Sequence, residues 1–243
     1  MTEMFEKLMN EGLEGLSLTL SEKQKEQFYQ YYELLIEWNK VMNLTAITEL
    51  DEVVTKHFVD SLLLLKVVPE LDTQACKCID VGTGAGFPGI PLKIAFPNLK
   101  MTLLDSLNKR VGFLNEVIKQ LGLEEIQAVH GRAEDYGRDG AYREQFDFCV
   151  SRAVANMSTL SEYCIPFVAK GGLFVPYKSG KVEEEAKQAE SAVRKLGGEM
   201  GEVITHILPG TDVERTFIPV KKVGVTAKKF PRKAGLPSKE PLK

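Results

Sequence analysis

Residues 78–91 read CIDVGTGAGFPGIP, an apolar run that breaks into four glycines within eight residues. A glycine-rich turn between a strand and a helix is a common cradle for a nucleotide. Strands and helices alternate on either side of it. KMTLLD (100–105), IQAVH (126–130), FDFCVS (146–151) and GLFVP (172–176) follow CIDV (78–81) as strands. Between them the 3.6-residue periodicity predicts helices over 88–96, 108–121, 157–169 and 182–196. That alternation predicts an α/β fold with a parallel, doubly wound sheet. VITHIL (203–208) and RTFIPVK (215–221), joined around Pro209 and Gly210, predict a C-terminal β-hairpin on one edge.

Upstream of the sheet the pattern is helical. Ser21 and Gln24 form a capping box, and Phe28, Tyr31, Tyr32, Leu35, Trp38 and Met42 fall on one face of a helix over 21–42. A second helix over 50–66 carries Val53, Val54, His57, Phe58, Ser61, Leu62 and Leu65. The division expected is a helical N-terminal subdomain (1–69), a ligand-binding domain (70–221) and a basic C-terminal tail (222–243).

The 243 residues suffice for a substantial core. No apolar run approaches membrane-spanning length, and MTEMFEK has no secretory pattern, so a cytoplasmic protein is expected; a monomer is the expected state. Cys76, Cys78, Cys149 and Cys164 sit in apolar surroundings without zinc-ligand spacing; they are read as reduced core thiols, with no metal. Charge is the informative quantity. From Lys221 to Lys243 eight basic residues face Glu240 alone, a net of +7 in a chain whose total is −3, leaving −10 for the rest. This predicts a basic arm for a polyanion, with Lys228, Lys229, Arg232 and Lys233 as phosphate contacts. A solubilising tail is the plainer reading.

Three ligand chemistries compete for Gly82–Phe87. A P-loop needs a lysine that is absent here. A dinucleotide turn needs a third glycine for close helix packing, and Phe87 stands at that place. The G-x-G-x-G turn of a class I (Rossmann-like) S-adenosylmethionine-dependent methyltransferase fits. Gly82, Gly84 and Gly86 let the backbone approach the ligand, Asp105 at the end of the second strand can take the ribose hydroxyls, and Ala133 and Glu134 after the third strand can meet the adenine. Asp105 as an ordinary helix-capping carboxylate is the bland alternative. Beyond the fourth strand stands SRAVAN (151–156), with no proline pair for an exocyclic amine, and no cysteine is placed as an activated nucleophile. Such a site suits an atom with a free lone pair, such as a purine N7, where catalysis is mainly alignment. Arg152 is the residue expected beside the methionine or the incoming base; a surface arginine paired with a local acid is the alternative. The aromatic stripe and His57 are read as core.

WNKVMNLT (38–45), KHFVDS (56–61), DVGTGAGFPG (80–89), DSLNKR (105–110), RAE (132–134), SRAV (151–154) and the P-R-K-x-G-x-P tail (231–237) together resemble the bacterial small-subunit ribosomal RNA methyltransferase G family, also called glucose-inhibited division protein B. The resemblance implies N7 methylation of a guanine in 16S ribosomal RNA, with S-adenosylmethionine as cofactor and small-subunit ribosomal RNA or the small ribosomal subunit as partner. It implies ligand contacts at Gly82, Phe87, Ala133, Glu134 and Arg152, with no established general base. A small-molecule methyltransferase shares the cofactor turn without explaining the tail. A non-catalytic division-linked regulator would need no intact cofactor site.

Overall fold

In the computed structural model, residues 1–72, 75–152, 154–180 and 182–243 are described; Ala153 of the SRAV motif lies outside them. The chain begins with α1 (Glu3–Leu16), a helix absent from the sequence reading. Phe5, Met9, Leu13 and Leu16 form its buried stripe, but Gly12 and Gly15 dilute the helical signal. Their reason is tertiary: a Cβ on Gly12 would lie 2.4 Å from Val59 Cγ2, and one on Gly15 2.7 Å from Pro209. α2 (Glu22–Met42) starts at the expected Ser21–Gln24 capping box.

The helix expected over 50–66 is not uniform. It comprises α3 (Leu50–Val53), a π-helical segment (Val54–Val59), α4 (Asp60–Leu62) and a 3-10 segment (Leu63–Lys66). The wider π turn adds a residue to the buried arc, so Val59 and Asp60 turn inward beside the expected His57 and Phe58.

Then follow β1 (Lys77–Val81), α5 (Gly89–Ala95), β2 (Lys100–Asp105), α6 (Asn108–Gln120), β3 (Ile126–His130), α7 (Ala133–Tyr136) and β4 (Phe146–Arg152). α8 (Met157–Cys164) is shorter than the helix expected to 169, because Pro166 cannot continue a helix interior and sits in a 3-10 turn. The strand expected at 172–176 lengthens accordingly to β5 (Val168–Lys178). α9 (Glu183–Lys195), β6 (Gly198–Met200), β7 (Ile204–Ile207), β8 (Glu214–Phe217), β9 (Val220–Lys222) and α10 (Leu236–Lys239) complete the chain.

Five parallel strands run in the order β3-β2-β1-β4-β5. The expected hairpin, β7 with β8, is antiparallel and joins through β8 to β5. β9 also pairs with β5, and β6 with β9, so the antiparallel edge exceeds one hairpin. Alternate residues of the central strands face opposite cores. Cys78, Met101 and Leu103 pack on the side of α1, α2 and α6, whereas Ile79, Val81 and Leu104 pack with α8, α9 and Phe230. Burial on both faces explains why these strands read as unbroken apolar runs. The strand order reverses between β1 and β4, and a doubly wound sheet binds its ligand at the carboxyl ends beside such a reversal. No helix among the described residues is long and apolar enough to cross a membrane.

Candidate active site

The glycine turn begins at that reversal. The Gly82 and Thr83 N–H groups donate to the Leu104 carbonyl, tying the turn to the end of β2. Gly82, Gly84 and Gly86 have φ of +71°, +63° and +101°, the left-handed region that glycine enters without a Cβ penalty. Gly86 also allows close approach: a Cβ there would lie 2.7 Å from the Tyr31 hydroxyl. That hydroxyl donates to the Ala85 carbonyl at 2.5 Å, so α2 grips the turn from outside. At Gly84 an added Cβ would meet nothing within 4 Å; there the turn faces open space.

Two carboxylates brace the turn. Asp105 accepts from the Gly84 N–H at 2.9 Å through one oxygen and from the Leu107 N–H at 2.9 Å through the other. The oxygen that takes the Gly84 N–H also lies 3.6 Å from Arg110 Nη1, whereas the other has a second lone pair. Asp80, which the sequence reading passed over, is fully buried and accepts from Thr83 Oγ1 at 2.6 Å and the Gly89 N–H at 2.9 Å. Its Oδ1 has no hydrogen-bond partner. Burial pushes its pKa up to about 6, against the lowering effect of those two donors. Its position in DVGTG, at the end of the first strand, was the available signal.

Glu134 and Ala133 lie across the opening at the start of α7. With Gly82, Leu104, Tyr163 and Gly235 they line a cavity of about 200 Å³. Whole ligands usually occupy about 300–1,000 Å³; this enclosure suits one end of an extended molecule, with the remainder along the glycine turn. A second cavity, of about 510 Å³, lies by Lys77, Lys100 and Ile126 at the amino ends of the same strands, away from the glycine turn.

Arg152, at the end of β4, lies over Phe87 and does not line the Glu134 cavity. Its guanidinium lies 5.1 Å from the Phe87 ring centroid and donates to Asp60 Oδ2 at 2.7 Å and the Lys56 carbonyl at 3.2 Å. Asp60 also accepts from Arg215 of β8, at 2.6 and 3.0 Å. The expected local acid is therefore real, but it comes from the N-terminal helices. His57 stacks on Phe87, 4.4 Å between centroids, and meets Thr45 Oγ1 at 2.8 Å and Arg152 at 3.1 Å. Burial, then the Arg152 charge, lowers its pKa to about 3. His57 is thus a satisfied buried histidine at the wall of the site. Asp60, His57 and Thr45 lie in KHFVDS and WNKVMNLT, and the sequence reading gave none of them a place here.

The C-terminal arm is a strap instead of a free tail. Lys222 is buried and donates to the Ile165 carbonyl, Arg232 pairs with buried Glu162, and the Gly235 N–H donates to Glu134 at 2.7 Å. Arg232 is therefore engaged internally, whereas Lys228, Lys229 and Lys233 are exposed. The reason is the buried Glu162 carboxylate, whose desolvation demands a partner.

Residues 24–208 match the family described as GidB, rRNA small subunit methyltransferase G. The chain belongs to this family. It is 56% identical to the ribosomal RNA small subunit methyltransferase G of Lachnoclostridium phytofermentans, over 96% of this chain and 95% of that protein. It is 47% identical to the protein of the same name from Alkaliphilus metalliredigens, over 97% and 98%. The fold also resembles M. jannaschii TYW2 in complex with AdoMet, at 14% identity and TM-score 0.52, covering 68% of this chain and 77% of that one. The cofactor of this family member is S-adenosylmethionine. The open face at Gly84, the two braced carboxylates and the Glu134 cavity fit a ligand with an amino-acid end, a diol and a flat base.

Two outcomes follow from the geometry. Asp60→Asn leaves two largely buried guanidinium groups short of a countercharge, and urea unfolding should show a loss of about 3–5 kcal/mol. Between pH 6.5 and about 3 the unfolded chain binds a proton at His57 that the folded chain refuses, so this group removes stability as pH falls. Asp80 acts in the opposite sense: with a folded pKa of about 6 it binds a proton more readily in the folded chain, which adds relative stability as pH falls from 6 towards 3.8. His57→Gln should therefore flatten or reverse the decline of the urea midpoint between pH 6.5 and 4; an unchanged profile would contradict the assignment.

Proposed function

We propose that the chain transfers a methyl group from S-adenosylmethionine to N7 of a guanine in 16S ribosomal RNA. Methyl transfer to small-subunit ribosomal RNA is the family's reaction. The observation that supports N7 is the state of His57, His130, Cys78 and Cys149. His57 is held neutral, stacked and hydrogen-bonded through both ring nitrogens. His130, at the end of β3, is hydrogen-bonded to the Ser106 carbonyl. Burial raises the thiol pKa of Cys78 and Cys149 well above normal, the reverse of an activated nucleophile. Purine N7 carries its own lone pair and requires neither a base nor a covalent intermediate.

S-adenosylmethionine supplies an electrophilic methyl on its sulfonium. Gly82, Gly84, Gly86 and Phe87 would hold its amino-acid side, Asp105 its ribose, and Ala133 and Glu134 its adenine. Arg152, fixed over Phe87 by Asp60, offers a charge beside the methionine or the incoming base. Alignment is then the chain's main contribution to rate. The work divides among a helical clamp (1–69), the cofactor domain (70–221) and the C-terminal strap (222–243), whose exposed Lys228, Lys229 and Lys233 would meet phosphates. In A-form RNA the edge bearing N7 lies in a groove too deep and narrow for side chains, so the guanine must be unpaired or extruded. Such a substrate puts the reaction in the cytoplasm.

Incubating the protein with labelled S-adenosylmethionine and unmodified small subunits, then mapping the label, should give a single N7-methylguanosine. Label on another atom would refute the N7 assignment, and label only on small metabolites would favour a small-molecule methyltransferase. Asp105→Ala should weaken cofactor binding about tenfold or more by calorimetry, equivalent to about 1.4 kcal/mol; unchanged affinity would remove Asp105 from the ribose role.

A further inference from the structure

The strap contributes to the cofactor cavity itself. Gly235 and Ser238 line it together with Gly82 and Glu134. The Gly235 N–H donates to Glu134 Oε1 at 2.7 Å, and Thr159 Oγ1 donates to the Pro237 carbonyl at 3.0 Å. Among the anchors of this wall, one ion pair makes the most hydrogen bonds. Glu162 is fully buried and receives the Arg232 backbone N–H at 2.7 Å, Nε at 2.9 and 3.1 Å, and Nη2 at 2.7 Å. Arg232 Nη2 also donates to the Glu240 carbonyl at 2.7 Å, which closes the loop containing α10 upon itself. Upstream, Arg143 donates to the carbonyls of Thr226 and Phe230, and Arg138 to that of Pro231.

We propose that Arg232 is a positioning residue for cofactor binding: its pairing with Glu162 holds Gly235 against Glu134 and makes the strap the outer wall of the adenine end of the site. The proposal rests on this cleft being the cofactor site. A basic residue within a basic tail suggests a phosphate contact by composition, and this geometry gives it a different task. With the latch open, Glu134 loses its backbone donor and the cavity loses one side. Cofactor then binds only the fraction of molecules whose strap is closed, and apparent affinity falls by that fraction. The coupling is reciprocal: bound cofactor must favour the closed strap.

Hydrogen exchange on the wild-type protein tests this without any change to its folding. Saturating S-adenosylmethionine should slow exchange of the 82–86 amides and, if the strap is a wall of the site, of the Gly235 and Lys239 amides as well. Protection of 82–86 with no change at 235–239 would overturn the strap proposal alone. Protection of neither would overturn the assignment of the cofactor site. In parallel, Arg232→Gln should raise the calorimetric Kd for S-adenosylmethionine about tenfold and raise the KM for cofactor more than it lowers kcat, with Arg232→Lys recovering part of the loss. A Kd within about twofold of wild type in folded Arg232→Gln would refute the positioning role.

Discussion

A single carboxylate joins the N-terminal helices to both the parallel sheet and its antiparallel edge. Asp60, at the end of the π-helical segment, accepts from Arg152 at the carboxyl end of β4 and from Arg215 on the antiparallel edge. The helical N-terminus, the parallel sheet and the C-terminal hairpin therefore meet at one ionic centre, which lies beside the Phe87 ring. Removing Asp60 leaves two guanidinium groups without their countercharge in a low-dielectric place, so the cost of losing it is felt by both the sheet and its antiparallel edge. The π turn is what makes this possible. A regular helix through 54–59 would aim its buried stripe through His57, Phe58 and Ser61, with Asp60 turned away.

Around that centre the cleft is made rigid chiefly by hydrogen bonds to the backbone of the glycine turn. The glycine turn is held from below by the Leu104 carbonyl, from the sides by Asp80 and Asp105, and from outside by Tyr31. Each partner removes freedom that a bound ligand would otherwise have to remove, which favours a preorganised site. Such an arrangement supports the proposed reaction, in which the reacting atom carries its own lone pair and the protein's task is to align it.

The distribution of charge acquires a different meaning in three dimensions. The C-terminal segment concentrates positive charge, yet Lys222 and Arg232 are engaged by Glu144 and Glu162 in the body of the fold. Lys228, Lys229 and Lys233 remain outside. The same short segment thus offers an inner face to the Glu134 cavity, proposed above to hold the cofactor, and an outer face to solvent.

The sequence by itself determined the strand-helix alternation, the left-handed glycine turn, and the acids and arginine that end successive strands, because each is a local property with a fixed period or a fixed backbone demand. Gly82, Gly84, Gly86 and Asp105 are legible for that reason. The family resemblance in the flanking motifs was equally legible. Asp80 was legible in principle, as a charge inside an apolar strand, but its brace to Gly89 becomes visible only when the turn folds back. Tertiary structure alone decided the rest. Gly12 and Gly15 look like poor helix formers until Val59 and Pro209 arrive against them. His57 reads only as core and Asp60 has no assigned place until the π turn brings both to Arg152. Arg232 reads as one more cation of a basic tail until buried Glu162, 70 residues away in the chain, requires a partner. Contacts over such separations carry no local period, so composition and spacing cannot encode them.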